Sequence, residues 1–224
     1  MYSYNVYLES IDVDVLCSPE QVDRAQEVIE KRCGWIPTTK QLPDSSWIRY
    51  GKLLPNTQDA WIYLDLLTTQ YKNLFHEDRS KSLPYDICFE AGMSEIKNIE
   101  GQDFKVPIKE LLIAYKLKAY RDRTFDMLKE RNIEHREHYR SKRTKDISDV
   151  IALIDPDYGP IDTEILIKII VRFEIQIFLE TIRNIQTETE AISQYRNRNY
   201  PIIRPWIERI VADLSYGLRK STED

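Results

Sequence analysis

Glycine is scarce in this chain, six residues in 224, beside ten prolines and three cysteines. So little glycine, with no biased tract, excludes collagen-like and low-complexity chains. Cys17, Cys33 and Cys88 are odd in number and scattered, so they form neither an even disulfide framework nor a CxxC zinc pair. That usage leads to the expectation of a reducing, cytoplasmic setting. Long apolar runs are lacking too. The most apolar stretch, 165–179, is interrupted by Lys168, Arg172, Glu174 and Gln176, well short of the ~20 apolar residues a bilayer span needs. The N-terminus, MYSYNVYLESIDVDV, meets acidic residues before a basic n-region or apolar h-region can form. Neither a membrane nor a secretory segment is expected, and the protein should be soluble. A GxSxG elbow is absent, no cysteine has a nucleophile context, and His135 and His138 have no third metal ligand nearby.

What is present describes a globular chain: 42% hydrophobic, 31% charged, with 32 basic against 37 acidic side chains for a net −5. This length suits one domain or two small ones. The charge is uneven. Between Tyr115 and Lys145 eleven Lys or Arg face five acidic residues, a local +6 that leaves −11 for the remainder. This basic arm reads either as a solvated helix face or as a phosphate-facing surface. The segment from Tyr195 to Arg204 interleaves aromatics and cations, as RNA-binding segments and surface loops both do.

The hydrophobic pattern predicts an α+β fold, a small mixed sheet followed by a helical layer or bundle, divided at 1–106 and 107–224. Strands are expected at 6–16, 47–54 and 61–68, with shorter ones at 86–89 and 104–106. Ser18 and Pro19 start a helix whose apolar positions are Val22, Ala25, Ile29 and Cys33, and Gly34 stops it. Beyond Pro107, helices are expected from Ile108 and over 146–154, 163–186 and 206–218, with Pro201 and Pro205 among the breaks.

The candidate chemistry begins with Asp12 and Asp14. Alternation along a strand puts both carboxylates on one face, roughly 7 Å apart, with Ile11, Val13 and Val15 turned to a core. Paired like charges disfavour a strand, which suggests a bound cation such as Mg²⁺. Asp65, in a strand of its own among Trp61, Tyr63 and Leu67, is a natural third ligand for a phosphoryl-displacement site. Acids on an edge strand also discourage aggregation, so spacing alone leaves both readings open.

Further strings follow in order: Ser10-Ile11-Asp12-Val13-Asp14, then Asp65-Leu66-Leu67, then Val106-Pro107 leading to Leu111-Leu112 and Lys116, then Lys145-Asp146-Ile147-Ser148-Asp149. Together, over about residues 8 to 155, they resemble the DNA polymerase β-type nucleotidyltransferase superfamily, in particular its small prokaryotic abortive-infection toxin-like branch. The resemblance implies a nucleotidyltransferase-type sheet, Mg²⁺ or Mn²⁺ on Asp12, Asp14 and Asp65, and Lys116 with Lys145 toward the phosphates of an NTP. Asp146 and Asp149 would orient those lysines or cap a helix. The implied activity is transfer of NMP to an RNA or protein acceptor. The alternative is a non-catalytic member serving as an interaction module, as in a toxin–antitoxin pair. One element of the family pattern is missing: a Gly-Gly or Gly-Ser turn about a dozen residues before the acidic pair, where only eleven residues, none of them Gly, precede Asp12. Either the chain begins late, or part of the nucleotide cradle is absent.

Overall fold

The computed structural model describes residues 12–38, 47–53, 61–196 and 198–221, and of Asp12 the backbone. The chain is α+β, with a small mixed sheet and a helical C-terminal part. It divides into two compact units. The described residues of the first lie within Tyr7–Asn73 and Pro84–Glu90, and those of the second within Leu74–Leu83 and Ala91–Asp224.

Among the described residues the first unit holds four strands, β1 (Asp12–Cys17), β2 (Ile36–Pro37), β3 (Trp47–Leu53) and β4 (Trp61–Thr68), in the order β1-β4-β3-β2. β1 runs parallel to β4, while β3 is antiparallel to both β4 and β2. The crossover from β1 passes through Ser18, the extended N-cap of a 3-10 turn with proline at its first position, into α1 (Val22–Glu27). A π-helical turn over Val28–Arg32 follows, and the chain leaves it through Gly34, whose φ of +68° suits a residue without Cβ. Val22, Ala25 and Ile29 pack with Val15, Cys17, Ile48, Tyr50, Leu64 and Leu66, so one face of the sheet is core. Tyr50 lies fully within it, and burial, then the charge of Glu30, pushes its phenol up to about 12.

Several expectations change here. Residues 6–11, Ile11 among them, lie outside the described set. Val13 is exposed rather than core, because β1 reaches the α1 side only from Val15 onward. The expected strand at 86–89 is a 3-10 turn, Tyr85–Phe89, with Ile87 buried. The strand at 104–106 does not join the sheet: it is part of β6 (Gln102–Pro107), paired only with β5 (Ser94–Ile99) in a separate hairpin of the second unit. The two residues between them, Glu100 and Gly101, both have positive φ, the geometry of a tight hairpin turn.

The rest of the second unit is helical. α2 (Lys109–Lys129) and α3 (Ile133–Ile154) form a hairpin, and α4 (Thr163–Arg172), α5 (Ile177–Arg183), α6 (Thr189–Gln194) and α7 (Tyr200–Lys220) pack around it. The single helix expected over 163–186 is broken. Glu174 takes φ +53°, Glu174 N–H donates to the Val171 carbonyl and Ile175 N–H to that of Ile170, and Ile175 is buried. That is a Schellman termination with Glu where Gly is usual. Pro201 and Pro205, expected as breaks, lie in the first turns of α7, where Pro201 sits at a position without an intrahelical N–H bond. Gly217 lets α7 approach α4, since a Cβ there would fall 2.2 Å from Ile167 Cδ1.

Candidate functional site

The face of the sheet opposite α1 collects the acids. In register, Asp14 of β1 stands beside Asp65 of β4, and Asp65 beside Arg49 of β3; one pair further along, Asp12 stands beside Tyr63 and Tyr63 beside Gly51. Neighbouring strands are about 4.8 Å apart, and register partners share a face, so Asp12, Asp14 and Asp65 belong to one face by backbone placement. Sequence reasoning paired the first two by alternation. The parallel β1–β4 pairing adds the third.

Arg49 had no role in the sequence reading, and it dominates this face. Its Nε and second terminal nitrogen donate to the two oxygens of Asp65 at 2.7 and 2.6 Å. The guanidinium also lies 5.7 Å from the Trp47 ring centroid and 5.5 Å from that of Tyr63, within cation–π range. Asp65 is buried at 7% exposure, Asp14 is exposed, and the Arg49 side chain retains 37%. The backbone of Arg49 is pinned as well, its carbonyl accepting from Thr38 N–H at 2.8 Å. A signal for Arg49 was present in the sequence. The polar turn at 55–59 is centred on residue 57, and a hairpin centred there pairs 49 with 65.

Among the described residues, no three His, Cys, Asp or Glu side chains are placed to hold a metal ion; the side chain of Asp12 lies outside that set. The donor chemistry of the face is that of a hard cation, with carboxylate oxygens from neighbouring strands and no sulfur or imidazole. A bidentate guanidinium already supplies positive charge to Asp65.

Lys116, Lys145, Asp146 and Asp149 come together in the second unit, between α2 and α3. Lys116 Nζ lies 2.6 Å from Asp149 and 3.7 Å from Asp146, and Lys145 Nζ lies 3.5 Å from Asp149. Arg123 pairs with Asp146 and donates to the Lys142 carbonyl. Asp146 and Asp149 are each only 2% exposed, and among the described residues Asp149 Oδ1 has no hydrogen-bond partner. Burial lowers the pKa of Lys145, against the raising influence of Asp149. Both aspartates pair with cations, and neither is the N-cap of α3. Asp146 lies well inside α3, whose N-cap is Asn132, accepting from His135 N–H at 3.1 Å.

The basic arm is α2, its turn and most of α3, and much of its charge is paired with acids from outside the counted window. Arg121 holds Glu77 at 2.7 and 2.6 Å, Arg143 pairs with Glu188, and Asp146 and Asp149 take the cations just named. Those four acids reduce the local +6 to 6 − 4 = +2. Lys118, buried within the arm, pairs with Asp122, which also accepts from the backbone N–H of His76. His135 lies 3.5 Å from Glu130. The aromatic and cationic segment after α6 is structural at its start: Tyr195 is buried and donates to Asp155 at 2.6 Å, and Arg196 lies over the Tyr158 ring.

Among the described residues, no helix is long and apolar enough to cross a membrane. No protein-family model matches the chain, nor does any curated protein or solved structure, so the acid face and the α2–α3 cluster are read from their own residues.

Proposed function

We propose that the acid face of the sheet is a metal-dependent nucleotidyl-transfer site, passing NMP from an NTP to a hydroxyl of an RNA or protein acceptor with release of pyrophosphate. The single observation that supports this is the parallel pairing of β1 with β4, which sets Asp14 directly beside Asp65 with Asp12 on the same face. Like charges in adjacent register positions disfavour folding, so their placement is better explained by a cation they share. Mg²⁺ or Mn²⁺ there would neutralise phosphate charge and align the displacement, which is most of what this chemistry needs. Asp14 and Asp65 would hold it, with Asp12 as the third ligand the resemblance implies. Trp47, Tyr63 and Trp61 follow the same alternation on β3 and β4, and aromatic rings suit a nucleobase because every base has a π-face to stack. Lys116 and Lys145 belong to the second unit, where each is shared with Asp149.

A second reading has its own observation. The fork-to-fork hold of Arg49 on Asp65 is also what a permanently neutralised, non-catalytic face would look like, in a member that serves as an interaction module such as a toxin–antitoxin component. Incubation with Mg²⁺ or Mn²⁺, each α-labelled NTP and mixed RNA and protein separates the two. Label retained on a macromolecule, and lost with Asp65→Ala, supports transfer. Absence of label together with absence of Mn²⁺ binding supports the module.

A further inference from the structure

We propose that Arg49 is the counter-ion a divalent cation must displace from Asp65, and that the displaced guanidinium then becomes the phosphate-binding group of the site. This rests on the metal reading of the acid face given above.

The geometry is that of an exchange. Arg49 occupies both oxygens of Asp65, at 2.7 and 2.6 Å, and those are the atoms a cation would need. Asp65 is buried, so its charge demands a partner at all times. Arg49 is different. More than a third of its side chain is exposed, so it can leave a carboxylate without being stranded in an apolar interior. Its backbone is fixed by Thr38 and its guanidinium is flanked by Trp47 and Tyr63, so release from Asp65 would leave it still over this face. A guanidinium fork that fits a carboxylate also fits a phosphate, which a lysine would contact only as a point charge. Metal arrival therefore exchanges one anion for another at Arg49, and the anion class is a polyphosphate.

The test compares wild type, Arg49→Met and Arg49→Lys in calorimetric titrations with Mn²⁺ alone, then with inorganic tripolyphosphate at saturating Mn²⁺. Arg49→Met should bind Mn²⁺ about tenfold or more tightly than wild type, the scale on which groups touching a metal ligand shift its affinity. It should bind tripolyphosphate about tenfold more weakly, the worth of one charge-assisted hydrogen bond. Arg49→Lys, which keeps the charge without the fork, should move both in the same directions by less, and it serves alone if the Met variant does not fold. Wild-type Mn²⁺ binding that is unchanged or weakened by both variants would overturn the exchange and leave the metal site standing. No Mn²⁺ binding by any of the three proteins would overturn the metal reading and the exchange with it.

Discussion

Two ionic clusters of opposite balance lie in this molecule. On the sheet, Asp12, Asp14 and Asp65 share a face with Arg49; between α2 and α3, Lys116, Lys145 and Arg123 share Asp146 and Asp149. The sheet cluster has surplus acid with Asp14 exposed, and the helical cluster has surplus base over two acids almost wholly buried. Buried acids beneath cations hold α2 to α3. The sheet acids differ: Asp14 is exposed, and the arginine that holds Asp65 is itself more than a third exposed. The acids of the helices should therefore matter for stability, and those of the sheet for binding.

The largest expected stability effect follows from Asp149→Ala. Lys116 and Lys145 lose their shared anion, and severing a buried pair typically costs about 3–5 kcal/mol. Because both lysines are about a quarter exposed, we expect about 2–3 kcal/mol in urea melts. A loss as small as that from a surface pair would erase the contrast between the clusters.

Tyr195→Phe should cost somewhat less, about 2 kcal/mol at neutral pH, by removing the hydrogen bond to buried Asp155. Burial and that bond raise the Tyr195 phenol above its ordinary 10.0. A raised folded-state pKa gives stability that is complete below the unfolded value and is lost as pH climbs toward the folded one. The gap between wild type and Tyr195→Phe should stay constant to about pH 10 and then narrow, by at most about 1.4 kcal/mol per pH unit. Melts over that range check it, and a gap that widened would contradict the assignment.

The contrast also marks what could be read in advance. β4 was legible to the residue, because alternating Trp61, Tyr63, Asp65 and Leu67 against Ile62, Leu64 and Leu66 has one meaning. The pairing of Lys116 with Asp149 was one of two readings open for that acid, the other being a helix cap, and burial of the acids was not foreseen. The β5–β6 hairpin was missed, since Glu100-Gly101 shows one glycine where the turn needs two residues at positive φ, and Glu hides the first. The stop after α4 was missed for the same reason at Glu174. Charge windows misled because Glu77 and Glu188 lie far from Arg121 and Arg143 in sequence and against them in space.

A smaller effect is expected of Asp65→Ala. It leaves Arg49, already more than a third exposed, to turn toward water, and it relieves the repulsion of Asp14. The metal-free variant should melt within about 1 kcal/mol of wild type, because the partner left behind is the partly exposed arginine and not the buried acid. The smallest effect is expected from salt on RNA retention. With a net +2 left on the arm after pairing, the slope of log K against log salt should not exceed about 2 in magnitude. A steeper slope would mean that RNA breaks those ion pairs to reach the arm.

The most direct measurement is Mn²⁺ titration of wild type, Asp14→Ala, Asp65→Ala and Asp149→Ala, followed by calorimetry or by the electron paramagnetic resonance of free Mn²⁺. The account predicts binding by wild type and by whatever fraction of Asp149→Ala is folded, with binding abolished in both sheet variants. Mn²⁺ affinity unchanged by Asp14→Ala and Asp65→Ala would contradict it.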